Sequence, residues 1–135
     1  MPRDSFARLD PVTGHARPTI VSPICPTGLL SNGPALLAGT SLGCEASKGP
    51  LRALSLPALK PIAWHPEVPR LDVEALGAAP GLIVAVSGRS RFEHGPRTIT
   101  GLAANGRRLF TAPARPTVTA HAVAVGGGLV LVGSG

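Results

Sequence analysis

Gly39-Thr40-Ser41-Leu42-Gly43 comes nearest to a catalytic motif in this sequence. A G-x-S-x-G elbow lifts a serine hydroxyl above a sheet on a strained turn from strand to helix. Ser41, Asp72 and His121 even follow the chain order such a hydrolase uses. The stretch after the serine, Cys44 to Pro50, ends in Gly49-Pro50 and cannot open the long helix the elbow needs. The four histidines, His15, His65, His94 and His121, have no metal-ligand spacing to one another or to the two cysteines. Gly126-Gly127-Gly128 has the composition of a phosphate loop, but no helix follows whose N-terminus would hold an anion. Catalytic residues, metal ligands and cofactor ligands are therefore not expected.

Composition narrows the function classes further. The 135 residues include 17 Gly and 15 Pro, which interrupt any long helix or coiled coil. No apolar run reaches the roughly 18 residues of a membrane-crossing helix. With 44% hydrophobic and 15% charged residues the chain buries surface and is not of the disordered class. Its four aromatics are Phe6, Trp64, Phe92 and Phe110, so buried area must come from Ala, Val and Leu in thin layers. The net charge of +6 is almost all arginine, and six arginines lie beyond residue 86 with Glu93 as the only acid there. That half lacks a tight basic run and an aromatic platform, so nucleic-acid binding is not expected. Met1 to Phe6 carries Arg3 and Asp4 and no apolar signal-peptide run, so a periplasmic or secreted location would require a leader on a parent chain.

Self-similarity organises the rest. Residues 72–88 align with 119–135 at an offset of 47 without a gap, and a further step of 47 back reaches Cys25 to Ser41. Leu36-Leu37-Ala38, Ile83-Val84-Ala85 and Val130-Leu131-Val132 then coincide. Each copy reads as a strand, a turn at Asn32-Gly33-Pro34, Pro80-Gly81 or Gly126-Gly127-Gly128, and a second apolar strand. Ser41 coincides with Gly88 and Gly135, so its position follows from the repeat and not from catalysis. Between these hairpins lie second strand pairs, around Leu54 and Ile62 and around Ile99 and Leu109, and the chain opens on a similar pair about Asp10. The expected fold is all-β, a partial β-propeller of about three blades' worth of four-stranded antiparallel sheets, with strands in the order two, four, four, two. In domain terms this is one array: residues 1–24 a half blade, 25–71 and 72–118 whole blades, 119–135 a half blade.

Three elements carry a family resemblance: Leu9 to Gly14 (LDPVTG), Ala104 to Phe110 (ANGRRLF) and Val125 to Gly135 (VGGGLVLVGSG). They resemble the repeat of PQQ-like, quinoprotein-type propellers, in which a strand ending Ala-Leu-Asp is followed by Thr-Gly, a basic residue and a strand-ending Trp. Only the first copy keeps Asp10 and Thr13-Gly14; Ser55 and Ala103 replace the Asp, and the Trp position holds Trp64, Phe110 or a residue near Pro18. The resemblance implies a non-catalytic scaffold that contacts a protein partner or small ligand through its loop face or channel. The alternative it implies is part of a PQQ-dependent dehydrogenase, which needs a carboxylate and amide set at its metal; no such local cluster occurs in the sequence, Glu67, Asp72 and Glu74 coming closest. A chain that starts and stops mid-blade is expected of a piece of a larger propeller. The rival is a half propeller that self-associates through open blade edges, two copies making six blades.

Two further expectations follow from the blade arrangement. His121 falls near the central channel and is a candidate ligand contact, its plainer role being a hydrogen-bonded strand histidine. Cys25 and Cys44 lie at the same end of one hairpin, so a disulfide forms if their Cα atoms come within about 7 Å; two free thiols are the alternative. Thiol titration of the denatured chain without reductant separates the two: no reactive thiol for the bridge, two without it.

Overall fold

The computed structural model describes residues 5–21, 26–40, 49–88, 96–114 and 120–134. Among them are twelve strands and no helix: β1 (Ser5–Leu9), β2 (Ala16–Val21), β3 (Pro26–Asn32), β4 (Ala35–Thr40), β5 (Leu51–Ser55), β6 (Pro61–Ile62), β7 (Asp72–Ala79), β8 (Leu82–Gly88), β9 (Arg97–Leu102), β10 (Arg108–Ala114), β11 (Ala120–Gly126) and β12 (Leu129–Ser134). They form four antiparallel sheets of sequential neighbours, β1–β2, β3–β4–β5–β6, β7–β8–β9–β10 and β11–β12. The chain is thus all-β, with strands divided two, four, four and two, and no sheet closes on itself among the described residues. Among the described residues no helix is long and apolar enough to cross a membrane.

Two-residue turns set the hairpin registers. Asn32 faces Ala35 across Gly33-Pro34, Ala79 faces Leu82 across Pro80-Gly81, and Gly126 faces Leu129 across Gly127-Gly128. Gly127 and Gly128 have φ of +57° and +76°, and a turn with both central residues at positive φ matches the twist of the strands it joins. Each hairpin also carries a register irregularity on its first strand, between Pro26 and Gly28, Val73 and Ala75, and Ala120 and Ala122. Thr27, Glu74 and His121 occupy those bulges, where the ladder is locally broken and the strand bends.

The first strands of successive hairpins pack on one another, β3 on β7 and β7 on β11. One core cluster joins Leu37, Leu51 and Ala53 of the first four-stranded sheet to Val73, Ile83, Ala85 and Leu102 of the second. A second joins Ala75 and Val86 to Ala120, with Val123 and Val132 packed against it. Small and β-branched side chains suffice because the sheets approach closely. A Cβ added to Gly77 would lie 2.7 Å from Val123 Cγ1 and 2.9 Å from Val123 O, closer than real Cβ contacts.

Gly77→Ala should therefore force β7 and β11 apart and cost about 1–3 kcal/mol, the range of core overpacking. Gly126 has open space around the same position and ordinary φ, so Gly126→Ala should change stability by less than about 1 kcal/mol. Paired urea melts of the two variants check the contrast.

Candidate functional site

One end of the sheets collects the tight turns. In an antiparallel sheet the turns between first and second strands and between third and fourth strands lie at the same end, and Leu56 N–H donates to Pro34 O at 2.9 Å between two of them. Three loops of like design close the outer strand pairs there. At the first, Asp10 N–H donates to His15 O at 2.9 Å, and Asp10 Oδ1 accepts from Val12 N at 2.8 Å and Thr13 N at 3.2 Å. At the second, Ser55 N–H donates to Lys60 O at 2.8 Å and Ser55 Oγ accepts from Lys60 N at 3.2 Å. At the third, Ala103 N–H donates to Arg107 O at 2.8 Å and Asn105 Oδ1 accepts from Arg107 N at 3.0 Å. Asp10 and Thr13 of the LDPVTG element and Asn105 of the ANGRRLF element have side chains engaged in holding these loops shut. Lys60, Arg107 and Arg108 are exposed at this end.

Trp64 ties one sheet to the next. Its indole N–H donates to Ala104 O at 3.1 Å, Glu67 N–H donates to Gly106 O at 2.8 Å, and Glu67 Oε1 accepts from Arg108 N at 3.3 Å. Gly106 has φ +91°, and a Cβ there would meet His65 O and Pro66 Cα at 3.0 Å, so the connection after β6 presses directly on the third loop. Beside it is a shallow recess of about 330 Å³ whose lining includes Arg52, Ile62, Trp64 and His65. Its size falls at the small end of ligand-binding clefts. Sequence reasoning missed the recess; the only pointer was Trp64, the single Trp, while Arg52 arrives from an adjacent strand.

The most constrained polar group lies between sheets. Glu74, at the β7 bulge, pairs with Arg97 at the start of β9, Nε to Oε2 at 3.0 Å, with the two side chains 3% and 2% exposed. The same Oε2 accepts the backbone N–H of Ala120 on β11 at 3.0 Å. The pair crosses the intervening β8 at Gly88, where an added Cβ would lie 2.7 Å from both Arg97 Nε and Glu74 Oε1. One hairpin earlier, the Thr27 hydroxyl donates to Val73 O. In both cases the bulged residue of one hairpin bonds the backbone at the next hairpin's bulge.

Of the sequence-derived candidates, Cys25, Cys44, Ser41 and His94 lie outside the described residues. His121 is on β11 at the bulge, and its side chain lies outside them as well. Asp72 opens β7, while His15 and His65 are exposed at separate places. Glu67, Asp72 and Glu74 do not act as one set: Glu67 holds the third loop and Glu74 is buried against Arg97. Among the described residues no three of His, Cys, Asp and Glu come together as a metal site would need. No family model matches the chain, and no curated protein matches it.

Removing one partner of a buried ion pair leaves the other charge uncompensated, which costs about 3–5 kcal/mol. Arg97→Met should destabilise by that amount. The double variant Glu74→Leu, Arg97→Met should be more stable than Arg97→Met alone, because no lone charge is left buried. Denaturant melts of single and double variants measure the difference; a double variant weaker than the single would contradict the pairing.

Proposed function

We propose that the chain is a propeller-type array of stacked four-stranded sheets that serves as a non-catalytic binding scaffold, with its turn end as the contact surface. The observation that supports it best is the coincidence of the three hairpins. Turns, strand pairings and bulges of β3–β4, β7–β8 and β11–β12 all correspond at steps of 47 residues: Asn32, Ala79 and Gly126 before the turn, Thr27, Glu74 and His121 at the bulge. The packing of β3 on β7 and β7 on β11 makes the hairpins successive layers, as blades around an axis would be. The three like loops fit the PQQ-like repeat resemblance, with the acceptor side chain supplied by Asp10, Ser55 or Asn105. Exposed Lys60, Arg107 and Arg108 suit an acidic protein surface or an anionic small ligand. Against the dehydrogenase reading, Glu67 and Glu74 are engaged separately, Glu67 with the backbone of Arg108 and Glu74 with Arg97.

Immobilised chain exposed to an extract of its source cells should retain a partner. Retention should fall at least tenfold for the Arg107→Glu, Arg108→Glu chain, and equal recovery by both chains would remove the turn end as the contact surface. Dye-linked alcohol oxidation with added quinone cofactor and Ca²⁺ should give no turnover, and sustained turnover would replace the scaffold reading with the enzymatic one.

A further inference from the structure

β5 has strand partners along its whole inner side but along only part of its outer side. β4 pairs with it from Leu51 to Ser55, whereas β6 covers only Ala53 and Leu54. The second four-stranded sheet has no such shortfall, since β10 covers β9 from Arg97 to Leu102. Matching Ile62 opposite Ala53 to Phe110 opposite Gly101 puts Leu51 level with Ile99, which has Ala112 beside it. The residue that would face Leu51 is then Trp64. It leaves the strand line instead, and its indole N–H donates to Ala104 O in the third loop.

The backbone groups left over can be named. Ser55 N–H donates toward β6, to Lys60 O at 2.8 Å, while Pro50 O accepts from Thr40 N on β4 at 2.7 Å. Successive residues of a strand direct their N–H and C=O to opposite sides, so Leu51 points both groups outward, as Ala53 and Ser55 do. Neither group of Leu51 has a hydrogen-bond partner among the described residues. Leu51 is only 3% exposed, and backbone groups so far from water are normally paired. The recess of about 330 Å³ lies between this edge and the departing chain, with Ile62, Trp64 and His65 in its lining.

We infer that the recess is a strand-addition site: a short extended peptide of another protein enters it antiparallel to β5 and forms two main-chain hydrogen bonds with Leu51. A donor and an acceptor side by side on one residue are matched by an extended peptide backbone. The slot is also short. β6 closes it at Ile62, and at Gly49 the backbone turns at φ +85° with its carbonyl accepting from the Thr40 hydroxyl. It therefore admits a few residues of a peptide and not a whole strand of a second copy. Arg52 and His65 line the recess and no carboxylate does, so an acidic side chain belongs next to the paired residue. The inference needs only the two four-stranded sheets and not the propeller-type reading.

Acetyl-Val-Asp-Val-Asp-Val-amide titrated onto the purified chain should shift the emission of Trp64, the single Trp, and saturate below about 1 mM. The same peptide N-methylated at its three valines keeps the side chains and loses the donors; it should bind about tenfold more weakly. Acetyl-Val-Lys-Val-Lys-Val-amide should also bind about tenfold more weakly, and His65→Glu should narrow that difference. In the chain alone the Leu51 N–H should exchange with solvent faster than those of Ala53 and Ile99, and the Asp peptide should slow it. A Leu51 N–H already protected in the chain alone would overturn the inference. Protection that grows with chain concentration would assign the edge to a second copy, and protection independent of it to another segment of the same chain. Absence of a saturable shift, or equal binding of the N-methylated peptide, would overturn it as well. The peptide arms use the unaltered chain and decide even if His65→Glu fails to fold.

Discussion

The narrow gap between successive first strands is the constraint on which the other features depend. Sheets built from Ala, Val and Leu bury enough surface only if they approach closely; Gly77 of β7 against Val123 of β11 marks how close that approach is between first strands, and Gly39 of β4 against Val73 of β7 shows the same closeness one strand over. Where the bulges break the ladder, backbone groups need other partners, and the bulged residue of the preceding hairpin supplies them: Thr27 for Val73, Glu74 for Ala120. Glu74 then carries a charge into the interior, which Arg97 neutralises across Gly88. Desolvation offsets much of the attraction in such a pair. Its main effect here is positional, joining β7, β9 and β11 through one carboxylate.

The loops show how one geometry accepts different chemistry. Each needs an acceptor for a backbone N–H and a residue that can turn at positive φ. Asp10, Ser55 and Asn105 supply the first, and Gly14, Leu59 and Gly106 the second, at φ of +74°, +59° and +91°. A left-handed leucine costs roughly 1–2 kcal/mol in local sterics. Leu59 is held there by packing against Ala38 and Leu54. Because the acceptor can sit at different places in the loop, the sequence signature decays while the loop persists.

The site follows from the same stacking. Trp64 belongs to one sheet by sequence but reaches the loop of the next, and the recess beside it forms only because β5 brings Arg52 alongside the connection after β6. The cations of the turn end likewise come from loops far apart in sequence. Nothing in the local pattern around Lys60 or Arg107 indicates that they share one face.

Strand positions, turn positions and the all-β class were legible in the residues alone, because the alternation of apolar residues and the Gly- and Pro-rich turns are local properties of the backbone. The roles of Asp10, Thr13 and Asn105 in turn closure came from the structure, although each acts within a few residues of itself. Tertiary structure alone decided that Glu74 is a buried partner of Arg97. The same holds for Gly88, whose missing side chain leaves room for that ion pair, and for Trp64, which docks on the neighbouring sheet. Each of these depends on which sheet lies beside which, and at what separation. Such distances are set by packing between segments dozens of residues apart, which no local pattern encodes.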